Sequence, residues 1–283
     1  MKIGYLGPKS SFTHQAAQKI ALNAELIAFP SIPKCLLAAE QRLVDFAVVP
    51  VENSLEGSVH ATIDHLFHKC GLTVVQEIIL PIKQQLLTAP TTPIDALTKI
   101  MSHPQALAQC QDYLESQFPD VLLEAVASTT YAAEYVSQHP HEKIAAIASI
   151  QAAQQYALTV AATAIQDNDF NQTRFWLVAS QRNDSSQKIQ SSSADKMTIL
   201  LTLPSNQPGA LHKALAAFGW RNIGLSKIES RPLKTSLGEY FFVVDLVCEQ
   251  SERLIKNALE EIQLLGVVVR NLGAYPVRTI PEE

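Results

Sequence analysis

The sequence predicts an α/β protein made of two units, on three observations. Strand-like and helix-like segments alternate through residues 1–180, a Ser-rich polar stretch fills residues 181–195, and residues 196–278 carry the order βαββαβ. Alternation of this kind implies parallel strands joined by crossover helices. The order βαββαβ is that of a ferredoxin-like domain, with two helices on one face of an antiparallel sheet.

In the first unit the strand candidates are KIGYLG, DFAVVPV, LTVVQEIIL, KIMSH, DVLLEAVA and KIAAIAS, and SFTHQAAQKIAL, SIPKCLLAAEQRL and PQALAQCQDYL are helical patterns between several of them. Such segments build one large sheet or two small lobes. In either case ligands are expected where strand ends meet helix starts. The stretch QRNDSSQKIQSSSAD has no apolar periodicity and reads as a flexible linker.

The second unit opens with the strand-like KMTILLTLPS. PGALHKALAAFGW then sets Leu211, Leu215 and Phe218 near helical spacing. GLSKIESRP and EYFFVVDLVC read as strands around KTSLG. SERLIKNALEEIQLLG puts Leu254, Ile255, Ala258, Leu259, Ile262 and Leu265 on one stripe, with Ser251 as N-cap and Gly266 as stop. VVVRNLGAYP closes the unit as a strand.

Composition limits the function. With 283 residues, 47% hydrophobic and 17% charged, the chain can bury a sizeable core. No apolar run approaches the roughly 18 residues of a membrane span, and MKIGYLGP enters a strand pattern without a signal-peptide core, so a cytoplasmic protein is expected. Cys35, Cys70, Cys110 and Cys248 lie far apart without CxxC spacing and are expected as buried, reduced thiols. A net charge of -5 argues against a nucleic-acid partner. Residues 1–180 hold 10 Lys and Arg against 16 Asp and Glu, so an anionic ligand there needs a local cation. Arg174 is the candidate.

Polar residues gather at the strand–helix junctions. YLGPKSSFTHQAA sets Gly7, Ser10 and Ser11 where backbone amides and hydroxyls receive an anion, or where a serine simply caps the helix. VVPVENSLEGSV runs from a β-branched strand into Glu52, Asn53 and Ser54, a ligand-binding edge or a capped turn. KIMSHPQALAQC places Ser102 before a helix that Pro104 starts, with Gln109 about two turns inside it. NQTRFWLVAS sets Thr173 and Arg174 immediately before a buried apolar run, as expected of a strand whose mouth opens onto something polar. His65 and His68 are three apart, but no further ligand motif completes a metal site, and neither a GxSxG elbow nor a GxGxxG fingerprint is present.

Six of these stretches occur in one order: YLGPKSSFTHQAA, VPVENSLEGSV, SHPQALAQC and NQTRFWLVAS, then GALHKAL and KIESRP. Together they resemble the monofunctional prephenate dehydratase family with a C-terminal ACT regulatory domain. The resemblance implies a two-lobed catalytic domain like type II periplasmic binding proteins over residues 1–180, a linker over 181–195 and a ferredoxin-like ACT domain over 196–278. It implies conversion of prephenate to phenylpyruvate with loss of carbon dioxide and the ring hydroxyl. Aromatisation supplies the driving force, so no cofactor and no metal are expected. The chain begins directly with the catalytic motif, and no chorismate mutase segment is expected.

By the matching motifs Thr173 meets the leaving hydroxyl and Arg174 a substrate carboxylate. Asn53, Ser102 and Gln109 are polar walls, Ser11, Ser54 and Phe175 complete the substrate site, and Glu52 is a further catalytic candidate. Phe175 and Trp176 are expected to form a dry wall. In the ACT domain Gly209, Ala210 and Leu211, with Glu229, Ser230 and Arg231, match a site for L-phenylalanine as inhibitor, and edge pairing of such domains implies a homodimer or homotetramer. The chain departs from the family pattern at Ser10–Ser11, usually Gly-Thr, and at Ala127 before Ser128, where some members carry an acid. The rival readings are an arogenate dehydratase and a binding module without turnover.

Overall fold

The computed structural model describes residues 1–180, 193–204 and 208–281. Its first lobe is a mixed sheet of β1 (Lys2–Leu6), β2 (Glu25–Phe29), β3 (Phe46–Asn53), β4 (Gly57–Ser58), β5 (Leu72–Pro81), a later strand β11 (Gln172–Ser180) and a last strand β16 (Val277–Thr279), in the order β16-β5-β11-β3-β1-β2 with β4 on β3. Helices α1 (Phe12–Ile20), α2 (Ile32–Glu40) and α3 (His60–His68) connect the early strands. As alternation implied, β1 pairs in parallel with β2 and β3. The long β11 departs from that expectation by running antiparallel between β3 and β5, because the chain returns to this lobe after leaving it.

The second lobe is a five-stranded sheet in the order β10-β6-β9-β7-β8. Its strands are β6 (Gln85–Thr88), β7 (Lys99–Ser102), β8 (Leu122–Ala125), β9 (Ile144–Ala148) and β10 (Thr159–Ala162), with helices α4 (Pro104–Ala108), α5 (Gln111–Gln117), α6 (Thr129–Gln138) and α7 (Ile150–Tyr156). Two segments join the lobes, and they are tied to each other. Ile82 N donates to Asn171 O at 2.8 Å, Ile165 N to Gln84 O at 2.9 Å, and Gln84 N to Gln166 Oε1 at 2.9 Å.

The C-terminal unit runs β12 (Lys196–Thr202), α8 (Ala210–Gly219), β13 (Leu225–Pro232), β14 (Tyr240–Val247), α9 (Glu252–Leu264) and β15 (Val268–Tyr275), with the antiparallel order β13-β14-β12-β15. Ile199, Leu201, Val244 and Leu246 pack under the two helices. Strand alternation sends Leu200, Phe241 and Val243 the other way, into one core with Val49, Leu66, Val74 and Trp176 of the first lobe. The units are therefore docked sheet to lobe. Phe67 and Phe241 stack at 3.8 Å across the joint, Arg270 donates to the carbonyls of Phe67 and Cys70, and a side chain at Gly273 (φ 132°) would run into the Val74 carbonyl.

Residues 277–279 then leave the second unit and pair in parallel with β5, so the expected domain end at residue 278 falls inside a strand of the first lobe's sheet. Of the expected linker, 181–192 lie outside the described residues. Cys35, Cys70 and Cys110 are buried free thiols, whereas Cys248 is only half-buried at the end of β14. Ser251 precedes α9 without a side-chain capping bond, and Gly266 follows it at φ 84°.

Candidate active site

Between the lobes lies a cavity of about 290 Å³ whose walls come from the ends of β1, β3 and β11 on one side and from the starts of α4 and α6 on the other. Thr173, Asn53, Gln109, Ser11 and Phe175 all line it. A larger cavity of about 420 Å³, around Gln15, Gln85 and Gln151, also lies between the lobes, but Asn53, Gln109 and Thr173 converge on the smaller one.

Thr173 begins the apolar run of β11 and is 9% exposed. Its Oγ1 accepts a hydrogen bond from Asn53 Nδ2 at 2.9 Å. The orientation of that amide follows from its other end. Asn53 Oδ1 accepts from the backbone amides of Leu55 at 3.0 Å and Glu56 at 3.1 Å, which only the oxygen can do. Asn53 Nδ2 also donates to Asn171 Oδ1 at 2.7 Å, and Asn171 Nδ2 donates to Gln109 Oε1 at 3.0 Å. One amide chain thus runs from Thr173 in the first lobe to Gln109 in the second. Because Thr173 receives a bond on its oxygen, its own hydrogen is left to donate, and among the described residues it donates to none.

Helices α1 and α6 both start at the cavity. Ser11 caps α1, its Oγ accepting from His14 N at 3.2 Å and donating to Leu6 O at 3.2 Å, so the capping reading of this serine holds. Ser128 caps α6, accepting from Tyr131 N at 3.0 Å. Phe12, Thr13, Thr129 and Thr130 line the cavity, and their first-turn amides are those a helix leaves without internal acceptors. No Asp, Glu, Lys or Arg is among the lining residues.

The Ser10–Ser11 departure acquires a structural meaning here. Ser10 stands at φ 68°, the left-handed region that a glycine would enter without strain. Its amide donates to His14 Nδ1 at 3.1 Å and its carbonyl accepts from Ser149 Oγ of the second lobe at 3.0 Å. Burial, followed by the charge of Lys9, lowers the pKa of His14, which favours the neutral ring that can accept from Ser10.

Arg174 is placed differently from the expectation that it grips substrate. Successive side chains leave a strand on opposite faces, so Thr173 and Phe175 face the cleft while Arg174 and Trp176 face the C-terminal unit. Arg174 Nε and Nη2 donate to Glu77 Oε2 at 3.0 and 2.6 Å, Nη2 to Asp245 Oδ2 at 2.7 Å, and Nη1 to Glu52 Oε2 at 2.5 Å. Trp176 Nε1 also donates to Glu77, at 2.9 Å, so it forms no wall of the cleft. Glu52 is held on this face by Arg174 and by Lys227 at 2.9 Å, not in the cleft. Ser54 Oγ donates to Phe170 O at 2.9 Å, securing the turn beside the site. Ser102 is fully buried and donates to Ile147 O at 2.6 Å, joining β7 to β9.

Alternation also divides the residues matched to a phenylalanine site. Glu229 bonds Ser58, and Arg231 donates to Asp64 Oδ1 at 2.8 Å, so both face the first lobe. Ser230 is exposed between them. Gly209 caps α8 at φ 81° with open space around it, beside Ala210 and Leu211 at the helix start. His103, Gln84 and Gln105 line the cleft and were not singled out from the sequence. His103 and Gln105 lie within SHPQALAQC, where His103 Nδ1 accepts from Gln105 N at 3.3 Å.

The comparisons with known proteins agree with this architecture. The prephenate dehydratase family model matches residues 3–183, and the ACT domain model matches 197–263. Prephenate dehydratase of Lactococcus lactis subsp. lactis is 46% identical over 283 residues, covering the whole of both chains. That of Bacillus subtilis is 47% identical over 280 residues, covering 97% of this chain and 98% of its own. A crystal structure of prephenate dehydratase from Arthrobacter aurescens in complex with L-Phe superposes with a TM-score of 0.85 at 31% identity, covering 98% of this chain and 90% of its own. With a cleft built from its own motifs and relatives matching end to end, the chain belongs to the prephenate dehydratase family with a C-terminal ACT domain.

Proposed function

We propose that the cleft converts prephenate to phenylpyruvate with Thr173 as hydrogen-bond donor to the departing hydroxyl. In that reaction the bond from the ring to its carboxylate breaks, the electron pair moves into the ring, and the ring hydroxyl leaves as hydroxide, which takes one proton from solvent to become water. Carbon dioxide and phenylpyruvate are the other products. A threonine hydroxyl is too weak an acid to surrender its proton outright at neutral pH. It stabilises the charge that develops on the leaving oxygen, as a fixed donor in a dry site does. The observation that carries this reading is the Asn53 bond into Thr173 Oγ1, which polarises the hydroxyl and reserves its hydrogen for substrate.

Prephenate carries two carboxylates, and the lining offers no Lys or Arg to receive them. The N-termini of α1 and α6, entering from opposite lobes, supply the amides and the positive dipole ends instead. This also separates prephenate from arogenate. Arogenate adds an ammonium group, and no Asp or Glu among the lining residues would balance it. Turnover of the two substrates by the purified chain tests the assignment: prephenate should be preferred by about 10-fold or more in kcat/KM, and preference for arogenate would overturn it.

Regulation by L-phenylalanine is proposed for the ACT domain, at the start of α8, where Gly209 lets a ligand approach the backbone. The family match at residues 197–263 and the L-Phe complex of the Arthrobacter relative support it. The exposed edge strand β13 is the surface for pairing with a second copy, as a homodimer or a dimer of dimers. A cytoplasmic location accords with such an enzyme.

A further inference from the structure

We propose that Arg174 is a positioning residue through which the ACT domain sets the placement of Thr173. This rests on the readings of Thr173 as donor and of phenylalanine as regulator given above.

Arg174 is the chain neighbour of Thr173, and its guanidinium is one of the points where the two domains share charge, beside the Arg231–Asp64 pair. The catalytic side brings Arg174, Glu52 and Glu77, a net charge of -1, and the ACT side brings Lys196, Lys227 and Asp245, a net charge of +1. Glu77 is fully buried and takes Arg174, Trp176 Nε1 and, at 2.9 Å, Lys196 Nζ. Asp245 is equally buried, and its second oxygen accepts from Thr198 Oγ1 at 2.6 Å, which in turn shares a 2.6 Å bond with the Tyr275 hydroxyl. Asp245 thereby joins Arg174 to β12, β14 and β15 of the ACT sheet, while Lys227 joins Glu52 to β13.

A shift of the ACT sheet on the first lobe therefore cannot leave Arg174 where it is, because losing one partner strands a buried charge, which is strongly unfavourable. The guanidinium must follow Asp245 or exchange partners. Either response moves the mouth of β11, where Thr173 and Asn53 are paired side by side in register. Linkage then requires that phenylalanine bind more tightly to the ACT arrangement in which this clamp is altered. The effect should fall on turnover more than on substrate binding, since Arg174 does not line the cleft.

The test compares the full-length wild type with Asp245→Asn, measuring prephenate turnover across a phenylalanine titration and phenylalanine binding by equilibrium dialysis. In the wild type, phenylalanine should lower kcat with little change in KM. Asp245→Asn should still bind phenylalanine, while the concentration that half-inhibits its own remaining activity rises by about 10-fold or more. Lys227→Met, which cuts the second arm without touching the buried aspartate, should blunt inhibition in the same direction and covers the case in which Asp245→Asn fails to fold. Full inhibition of both variants at wild-type concentrations would overturn the inference while leaving regulation intact. A wild type indifferent to phenylalanine would overturn the regulatory reading and the inference with it.

Discussion

Asn53 Nδ2 lies 2.9 Å from Thr173 Oγ1 and donates to it, while the Asn53 oxygen is held by the amides of Leu55 and Glu56. The relationship has a polarity: the asparagine gives a hydrogen to the threonine, and the threonine keeps its own for the cleft.

Reversing that polarity should lower turnover steeply in a protein that still folds. Asn53→Asp retains the oxygen that Leu55 N and Glu56 N need but presents an acceptor to Thr173, whose hydrogen then turns away from substrate. The expected loss is on the order of 100-fold in kcat, beside a lowered unfolding midpoint, because the same substitution takes the donor away from Asn171 Oδ1 and Gln172 O. Near wild-type kcat would show that the direction of this bond has no part in the chemistry.

Ser10 occupies a left-handed backbone conformation at φ 68°. Ser10→Gly relieves a steric cost of about 1 kcal/mol while keeping the amide that bonds His14 and the carbonyl that accepts from Ser149. Thermal unfolding of this variant should occur at the wild-type temperature or above it. A drop of several degrees would mean that the serine side chain stabilises the loop in a way its backbone bonds do not account for.

Acid should weaken the joint between the domains. Burial opposes ionisation of Glu77, yet the neighbouring charges of Arg174 and Lys196 outweigh it and hold its pKa below the ordinary 4.5. At Glu52, burial is outweighed by Lys227 and Arg174 with the same result. A carboxylate with a lowered folded pKa contributes stability that is whole above the unfolded value and is lost as the pH falls through the folded one. Melting temperature measured from pH 7 to pH 3 should decline below about pH 4.5, and Glu77→Gln, already less stable at pH 7, should show a shallower decline. Equal acid slopes for the two proteins would place the titrating groups elsewhere.

The sequence carried the element order of the ACT domain because its stripes and alternations are local. The apolar patterns of β12 and α9 are the ones that bury Ile199, Leu201, Ile255 and Ile262. The placement of Thr173 and Arg174 was also legible in part, since adjacent residues on a strand must diverge. The motif match directed attention to both as a pair, whereas period 2 puts only one of them in the cleft. Asp245 within EYFFVVDLVC was a signal of another kind. An apolar strand buried on both faces with one carboxylate in it implies a partner charge, but that partner is Arg174, 71 residues away in sequence. Docking across the interface depends on such distant pairs, as does the return of residues 277–279 to β5, and neither has a local pattern to announce it.

The most direct measurement is the turnover of prephenate by Thr173→Ala and Thr173→Ser beside the wild type. Truncation to alanine removes the donor at a site only 9% exposed but little packing, so kcat should fall by on the order of 100-fold or more while the unfolding midpoint changes little. Serine, which restores the hydroxyl, should recover most of that loss. An alanine variant that turns over prephenate at close to the wild-type rate would contradict the account, because the chemistry would then proceed without the hydroxyl that Asn53 holds in place.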